Sequence, residues 1–415
     1  MKCKYTNLRS EEFYIYAITH YIRTMDHPKK IVFTCNTSWG IYKFRITLIR
    51  KLIKKGYTVY VLAPEDRYTL FLTEEPGLIF IPLRHLKAVS FSLFSDWKLY
   101  RELCRNYAQI KPWLVFHYTI KANIYGTLAA ARTNCPSISV ITGLGYTFLN
   151  DTWVLKGASI LYRFALKSAH EVWFLNNDDR DYFLRNKIID IRQAFILPGE
   201  GIDTHAFHCD QPYQIKPTLI FLLIGRIIKE KGIAEYVTAA RILKQKGYNV
   251  ECQLAGFYDY KNPSSIEHKK FFTWISSGRI TYLGGTDDVK PWIEKADCIV
   301  LPSYREGLPL SLLEGASMCR PLIAADTAGC REVVVHGVNG FLCPEKDGEG
   351  LAIAMEEFYH LSPAERLRMG RESRKLAVGQ FALEKIHSIY FDRISRYAGN
   401  TLPGSTRAVK DIITR

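Results

Sequence analysis

Along the 415-residue chain the spacing of apolar residues switches repeatedly between strand-like runs and a helical period of about 3.6. Short apolar runs at 31–35, 58–63, 78–82, 113–117, 137–141 and 171–174 read as strands. Between them, segments 42–55, 93–108, 123–132, 160–169 and 177–185 carry apolar residues at helical spacing. In the first of these, Phe44, Leu48, Ile49 and Leu52 share one face, and Gly56 ends it. Strand, helix and strand in alternation imply a parallel sheet. The pattern pauses over a turn-rich stretch from 198 to 216 and resumes at 218. Strands then read at 219–224, 251–255, 280–283, 298–301, 321–324 and 340–343, with helices at 233–245 and 310–318. The chain ends in helices at 351–359, 363–377 and 383–397. The expected fold class is α/β: two Rossmann-like domains facing each other across a cleft. Their expected bounds are 30–205 and 218–382, with a linker at 206–217. An extension (1–29), a C-terminal helix packing back towards the first domain (383–398) and a tail (399–415) complete the division.

Composition narrows the class. The chain is 47% hydrophobic and 13% aromatic, enough for sizeable cores. No apolar run reaches the roughly 18 residues of a membrane span, and the first thirty residues lack a signal-peptide pattern. A cytoplasmic protein is expected. The ten cysteines occur singly, with no CxxC pair, and read as small buried hydrophobes rather than zinc ligands or disulfides. The net charge of +15 is uneven. Residues 1–150 hold 21 Lys and Arg against 9 Asp and Glu, whereas 151–415 hold 35 against 32. A basic field confined to the first part of the chain favours an anionic partner there: a phospholipid surface, a lipid diphosphate or nucleic acid.

Open parallel sheets bind ligands beyond the carboxyl ends of their strands. Residues at those ends are therefore the candidates: Asn36, Trp39 and Gly40, then His117 and Lys121, then Thr142 and Gly143. None of these loops is GxGxxG, so a dinucleotide fingerprint is absent. In the second half, Gly225 and Arg226 end one strand, Lys231 precedes the next helix, and Gly256 ends another strand. An arginine fork and a lysine point charge both suit phosphate oxygens, although two exposed loop cations are the plainer reading. The stretch 302–341 is richer. Glu306 lies in a turn, Glu314 lies eight positions on in an apolar helix, and Gly307-Leu308-Pro309-Leu310 separates them. A helix N-terminus after such a turn attracts anions. A carboxylate beside it suits a ligand that also carries hydroxyls, so the pair points to a sugar phosphate. His117 reads equally as a core histidine or a ligand contact. The acid pairs Asp178-Asp179 and Asp287-Asp288 read as helix N-terminal acids rather than metal ligands. No metal or other cofactor is expected.

These residues resemble a known family. SYREGLPLSLLEGAS, holding Glu306 and Glu314, resembles the signature of family 4 glycosyltransferases, which are retaining enzymes of the GT-B fold. IGRIIKEKG at 224–232 is similar to that family's diphosphate-binding segment. PGEGIDTHAF at 198–207 is similar to its linker motif, with Glu200 where a small or amide residue is usual. GCREVVVHGVNGFL at 329–342 is similar to its closing motif, and the resemblance runs from about 30 to 398. It implies that Arg226 and Lys231 hold the donor diphosphate, Glu306 meets the donor sugar and Glu314 the ribose. Those of 307–310 would offer backbone N–H groups. The loop at 142–145 lacks the His that many members carry, so no catalytic His is assigned. NTSWGIYKFR at 36–45, HYTIKANIYG at 117–126 and VITGLGYTF at 140–148 resemble a bacterial subgroup that extends sugars on undecaprenyl diphosphate. That subgroup includes N-acetylgalactosaminyl transferases. The expected partners are then a UDP-sugar, a lipid-linked saccharide acceptor and the cytosolic surface of a bacterial inner membrane, not nucleic acid. Arg45 and Lys121 are the candidate acceptor contacts. Two alternatives share the residues: a nucleotide-sugar 2-epimerase of the same fold, and a non-catalytic nucleotide-sugar-binding protein.

Overall fold

The computed structural model describes residues 29–86, 93–144, 153–209, 216–260 and 262–399. The expected extension and tail lie, save for Lys29 and Gly399, outside the described residues, as does the middle of the expected linker, 210–215. The chain falls into two compact units: 1–116 with 129–137, and 117–128 with 138–415.

The first unit holds β1 (Lys30–Thr34), α1 (Ser38–Lys54), β2 (Thr58–Ala63), α2 (Thr69–Thr73), β3 (Leu78–Pro82), α3 (Leu93–Ile110) and most of β4 (Leu114–Tyr118). Its strands run in the order β3-β2-β1-β4. The pairs β1–β2 and β2–β3 are parallel. The core comes from Val32 and Phe33 of β1, Leu48, Ile49 and Leu52 of α1, and Leu99, Leu103 and Tyr107 of α3. Inside it, the Thr34 and Tyr107 hydroxyls share a hydrogen bond of 2.9 Å. Helix α1 starts four residues earlier than its apolar spacing suggests. The Thr37 hydroxyl accepts from the Gly40 N–H and caps it, so Trp39 and Gly40 lie in a helical turn rather than a loop.

The chain continues with a π-helical turn (Ala122–Gly126), α4 (Thr127–Arg132), β5 (Ser137–Ile141), α5 (Trp153–Leu166), β6 (Glu171–Phe174), α6 (Asn177–Arg185) and β7 (Ala194–Ile196), of which 129–137 belong to the first unit and the rest to the second. The segment 123–132, expected as one helix, opens with that π-turn. There the His117 ring occupies the space a side chain at Gly126 would need. Strands β5, β6 and β7 pair in parallel.

A second sheet follows, built from β8 (Leu219–Ile224), α7 (Ile233–Gln245), β9 (Val250–Ala255), α8 (His268–Ser276), β10 (Thr281–Gly284), α9 (Lys290–Lys295), β11 (Cys298–Leu301), α10 (Leu310–Ser317), β12 (Leu322–Ala325) and β13 (Gly340–Cys343). Its order is β10-β9-β8-β11-β12-β13, with every pair parallel. Strand β8 shows why its sequence is almost uninterrupted apolar. Phe221 and Leu223 enter one core with Tyr236, Val237 and Phe358, whereas Leu222 enters the opposite core with Ile293, Leu312 and Leu313. Alternate side chains leave opposite faces and both faces are covered. Each such side chain contributes about 1.5–3 kcal/mol.

Helices α11 (Gly348–His360), α12 (Pro363–Gln380) and α13 (Leu383–Gly399) close the chain. Helix α13 lies along β6 and β7. Tyr390 packs on Trp173 and shares a 3.0 Å hydrogen bond with the Tyr118 hydroxyl, and Arg393 sits 3.9 Å from the Phe195 ring centre. Residues 138–205 fall in the second unit. Among the described residues, no helix is long and apolar enough to cross a membrane.

Candidate active site

In the second sheet the chain leaves β8 towards β9 on one side and leaves β11 towards β12 on the other. The crevice between the carboxyl ends of β8 and β11 is thus a topological switch point, where open α/β sheets bind ligands. Gly225 and Arg226 follow β8, Gly256 follows β9, and the turn 302–309 follows β11.

Arg226 is exposed, and its guanidinium has no ion-pair partner among the described residues. The Lys231 stem runs beside Gly225, and its ammonium meets Glu306 Oε1 at 2.5 Å. Both groups of that pair are largely shielded, with side chains 18% and 16% exposed. Gly232 brings Lys231 there. It has φ +68°, and a Cβ would strike the backbone of Pro302, 2.7 Å from its carbonyl carbon. Tyr304 fastens the turn to the loop after β8: its N–H donates to the Glu230 carbonyl (2.9 Å) and its hydroxyl to Glu235 Oε1 (2.9 Å).

Helix α10 opens at Pro309 with no side-chain cap and no acidic residue in its first turn. Its first N–H groups and dipole face forward without the usual protein carboxylate, the arrangement that receives an anion. Glu314 lies further along that helix and is 4% exposed. Beside the turn, burial and the Glu306 charge push the Cys330 thiol up to about 12, so it stays neutral.

The Glu306 turn is held from the other sheet of the same unit as well. The Gly307 backbone crosses that of Thr142 and Gly143 so closely that a Cβ on Gly307 would lie 2.7 Å from the Thr142 carbonyl carbon. Asn176 Nδ2 donates to the Gly307 carbonyl at 2.7 Å. Asp179 pairs with Arg305. Leu308 packs against Gly199 of the 198–201 turn. Further along, Arg331 Nη1 meets Asp178 Oδ2 at 3.0 Å, and the Asn177 N–H and amide both donate to Glu332 Oε1 at 3.1 Å.

The structure therefore gathers Gly225, Lys231, Glu306, Gly307, Leu308, Thr142 and Gly143 at one place. Pro309, Leu310 and Glu314 follow on the same turn and helix, while Gly256 packs under Gly225. Arg226 follows Gly225 at the end of β8; of the other candidates, His117 and Lys121 belong to the same unit and Asn36, Trp39, Gly40 and Arg45 to the first. Arg45, expected to reach an acceptor, is 3% exposed and donates to the Gly40 carbonyl at 2.9 Å inside the first unit. His117 is fully buried beneath Gly126, with Nδ1 3.4 Å from the Thr127 hydroxyl, and burial lowers its pKa to about 3. It is a neutral core histidine. Asn36 is half-buried and Trp39 is 40% exposed in the first unit. Lys121 is half-buried just ahead of the π-turn. Asn176, Asp179 and Arg305 were not singled out as site residues. The polar run 176–179 after a strand reads as a helix cap alone, and Arg305 lies inside the 303–317 motif with no role of its own there.

Comparison with known proteins divides the chain between residues 176 and 218. Residues 30–176 match the family model described as Glycosyl transferase 4-like, and 218–360 match that described as Glycosyl transferases group 1. The chain belongs to the glycosyltransferases. One relative is the N,N'-diacetylbacillosaminyl-diphospho-undecaprenol alpha-1,3-N-acetylgalactosaminyltransferase of Campylobacter jejuni. It is 27% identical over 356 residues, spanning 82% of this chain and 91% of the relative. Another is the UDP-Gal:alpha-D-GlcNAc-diphosphoundecaprenol alpha-1,3-galactosyltransferase of Escherichia coli, 23% identical over 86% of this chain and 94% of its own. A solved glycosyltransferase from Rickettsia africae superposes with a TM-score of 0.69 at 17% identity, over 90% of this chain and all of that one. The fold is thus GT-B, as the resemblance implied.

Proposed function

We propose that this glycosyltransferase is a retaining enzyme that moves a hexose or N-acetylhexosamine from a UDP-sugar to a polyprenyl-diphosphate-linked saccharide in bacterial surface-glycan assembly. The Lys231–Glu306 pair beside the uncapped start of α10 carries the reading. It sets a cation and free N–H groups for a diphosphate next to a carboxylate for hydroxyls. Arg226 and Lys231 hold the donor diphosphate, with the N–H groups of Gly307, Leu308 and Leu310. Glu306 contacts the donor sugar and Glu314 the ribose. As the anomeric bond breaks, charge develops on the leaving diphosphate, and these preorganised donors stabilise it. The acceptor hydroxyl attacks from the face that UDP leaves. No metal is needed in this scheme. The relatives' names support the donor and acceptor classes.

The membrane assignment, peripheral on the cytosolic face of the inner membrane, draws support from α3. Phe94 (65% exposed), Trp97 (52%), Arg101 and Arg105 lie along one outward stripe of that helix. Lys98 sits 4.3 Å from the Phe94 ring centre and Arg101 5.2 Å from that of Trp97. The acids of the helix are spent inside the protein: Asp96 is buried, and Glu102 accepts from the Arg84 and His85 N–H groups. Aromatic and basic residues with no free acid suit an anionic bilayer interface.

The test is direct. Purified protein is incubated with UDP-N-acetylgalactosamine, UDP-galactose, UDP-glucose or UDP-N-acetylglucosamine and a synthetic polyprenyl-diphosphate saccharide, and products are resolved by mass spectrometry. Transfer from one donor is expected. No transfer from any donor by folded protein refutes the reading. An epimer formed without acceptor, or binding without turnover, supports the two alternatives instead.

A further inference from the structure

Glu306 is flanked in sequence by two residues that answer to the same short segment. Arg305 pairs with Asp179, and the Gly307 carbonyl accepts from Asn176. Asn176 is the N-cap of α6, and Asp179 lies in that helix's first turn. Both are buried, at 1% and 0% exposure. The Asn176 amide is used at both ends. Its Oδ1 accepts from the Asp179 N–H at 2.8 Å, which caps α6, and its Nδ2 donates to Gly307 at 2.7 Å. A second, longer contact runs from Nδ2 to Asp179 Oδ2 at 3.3 Å.

The chemistry at this position is specific. Ser, Thr, Asp and Asn all cap helices well. Capping alone therefore does not require asparagine. Only an amide offers an acceptor to the helix and, on the same planar group, a fixed donor to a carbonyl on the far side. The Gly307 carbonyl belongs to the peptide joining Gly307 to Leu308. Holding its oxygen fixes the direction of the Leu308 N–H on the opposite side of that peptide plane.

We propose that Asn176 is a positioning residue for the sugar-contacting turn. Its amide sets the plane of the 307–308 peptide, while Asp179 sets Arg305, so Glu306 is held from both sides. Asn176 touches neither nucleotide nor sugar. The inference rests on the glycosyl-transfer reading, in which Glu306 meets the donor sugar.

Two variants test it. Asn176→Ser keeps the cap and withdraws the reach to Gly307. Asn176→Asp keeps the size and the cap and removes the donor. Initial rates of transfer and the affinity for UDP are measured for each, with circular dichroism as the check on fold. The expected result is a kcat lowered by about 10- to 100-fold, as for a misplacement near 1 Å, with the UDP Kd within about threefold of wild type. That split distinguishes positioning of the sugar turn from loss of the nucleotide site. Rates within about threefold of wild type in both variants overturn the proposal alone. So does a loss of rate matched by an equal loss of UDP affinity, or unfolding of both variants, which would make Asn176 structural. A wild-type chain that transfers no sugar overturns the reading and the proposal together.

Discussion

Replacing Gly307 by alanine tests whether the Glu306 turn is held by backbone crossing backbone. The added Cβ would lie 2.7 Å from the Thr142 carbonyl carbon and nearer still to its oxygen, with the Gly143 nitrogen at 3.2 Å. Ordinary contact begins at 3.4 Å. No side-chain rotation relieves the overlap, because the obstructing atoms are main chain. The two segments must part by roughly 1 Å, and Glu306 moves with its neighbour. A shift of that size costs about 10²-fold in rate, or about 2.7 kcal/mol in the barrier. Gly337→Ala is the matched control. Its φ is +74°, but an added Cβ meets nothing within 4 Å. It costs about 1–2 kcal/mol of stability through the left-handed conformation and leaves the rate unchanged. The assay is initial-rate UDP release with a lipid-linked acceptor, beside thermal melting of both variants. A Gly307→Ala protein with kcat within about threefold of wild type would refute the reasoning, because the crossing would then be free to relax.

Other perturbations separate the parts of the site. Glu306→Gln removes the charge that pairs with Lys231 at 2.5 Å; kcat is expected to fall by about 10- to 100-fold, the value of a charged hydrogen bond, while titration with UDP shows affinity within about threefold. Lys231→Met is expected to weaken UDP itself by a similar factor in the same titration. His117→Gln addresses acid stability. The folded pKa is lowered to about 3 against an ordinary 6.5, so below pH 6.5 the unfolded chain binds the proton and the native one does not. Stability is lost as pH falls, by about 2 kcal/mol between pH 7.5 and 5; urea unfolding at both pH values should show a smaller loss in the variant, and equal losses would sink the assignment. Phe94→Ser with Trp97→Ser is expected to lower co-sedimentation with phosphatidylglycerol-containing vesicles at least several-fold, with UDP affinity unchanged.

The fold was legible where burial imposes a period over enough residues. Strand β8 matches its apolar run, Leu219–Ile224, because both of its faces are covered and no polar position interrupts it. Helices Thr69–Thr73, His268–Ser276 and Lys290–Lys295 and strand Ala194–Ile196 went unread, being too short for a period to stand out from chance. The start of α1 does not show in the apolar spacing for a different reason. Its first turn is fixed by the Thr37 cap, which apolar spacing does not register. Arg45 is a candidate through the resemblance of 36–45, and His117, at a strand end, reads equally as a core histidine or a ligand contact. Here each is buried with a local role instead: Arg45 on the Gly40 carbonyl, and His117 filling the space over Gly126.

The site divides along the same line. Gly225 to Gly232 and Pro302 to Glu314 were legible because each is one continuous segment following one strand, and the switch point brings the two segments together. The part that holds Glu306 in place was not. Asn176 and Gly307 are 131 residues apart. Each has a complete local explanation, one as a helix cap and the other as a glycine in a turn. The sequence therefore shows no unmet requirement at either position. The requirement appears only when the second half of the Asn176 amide is followed to its partner: a helix cap needs an oxygen, and this one also uses its nitrogen. Where a cap residue has more hydrogen-bonding groups than capping consumes, the surplus group is the place to look for a long-range tie.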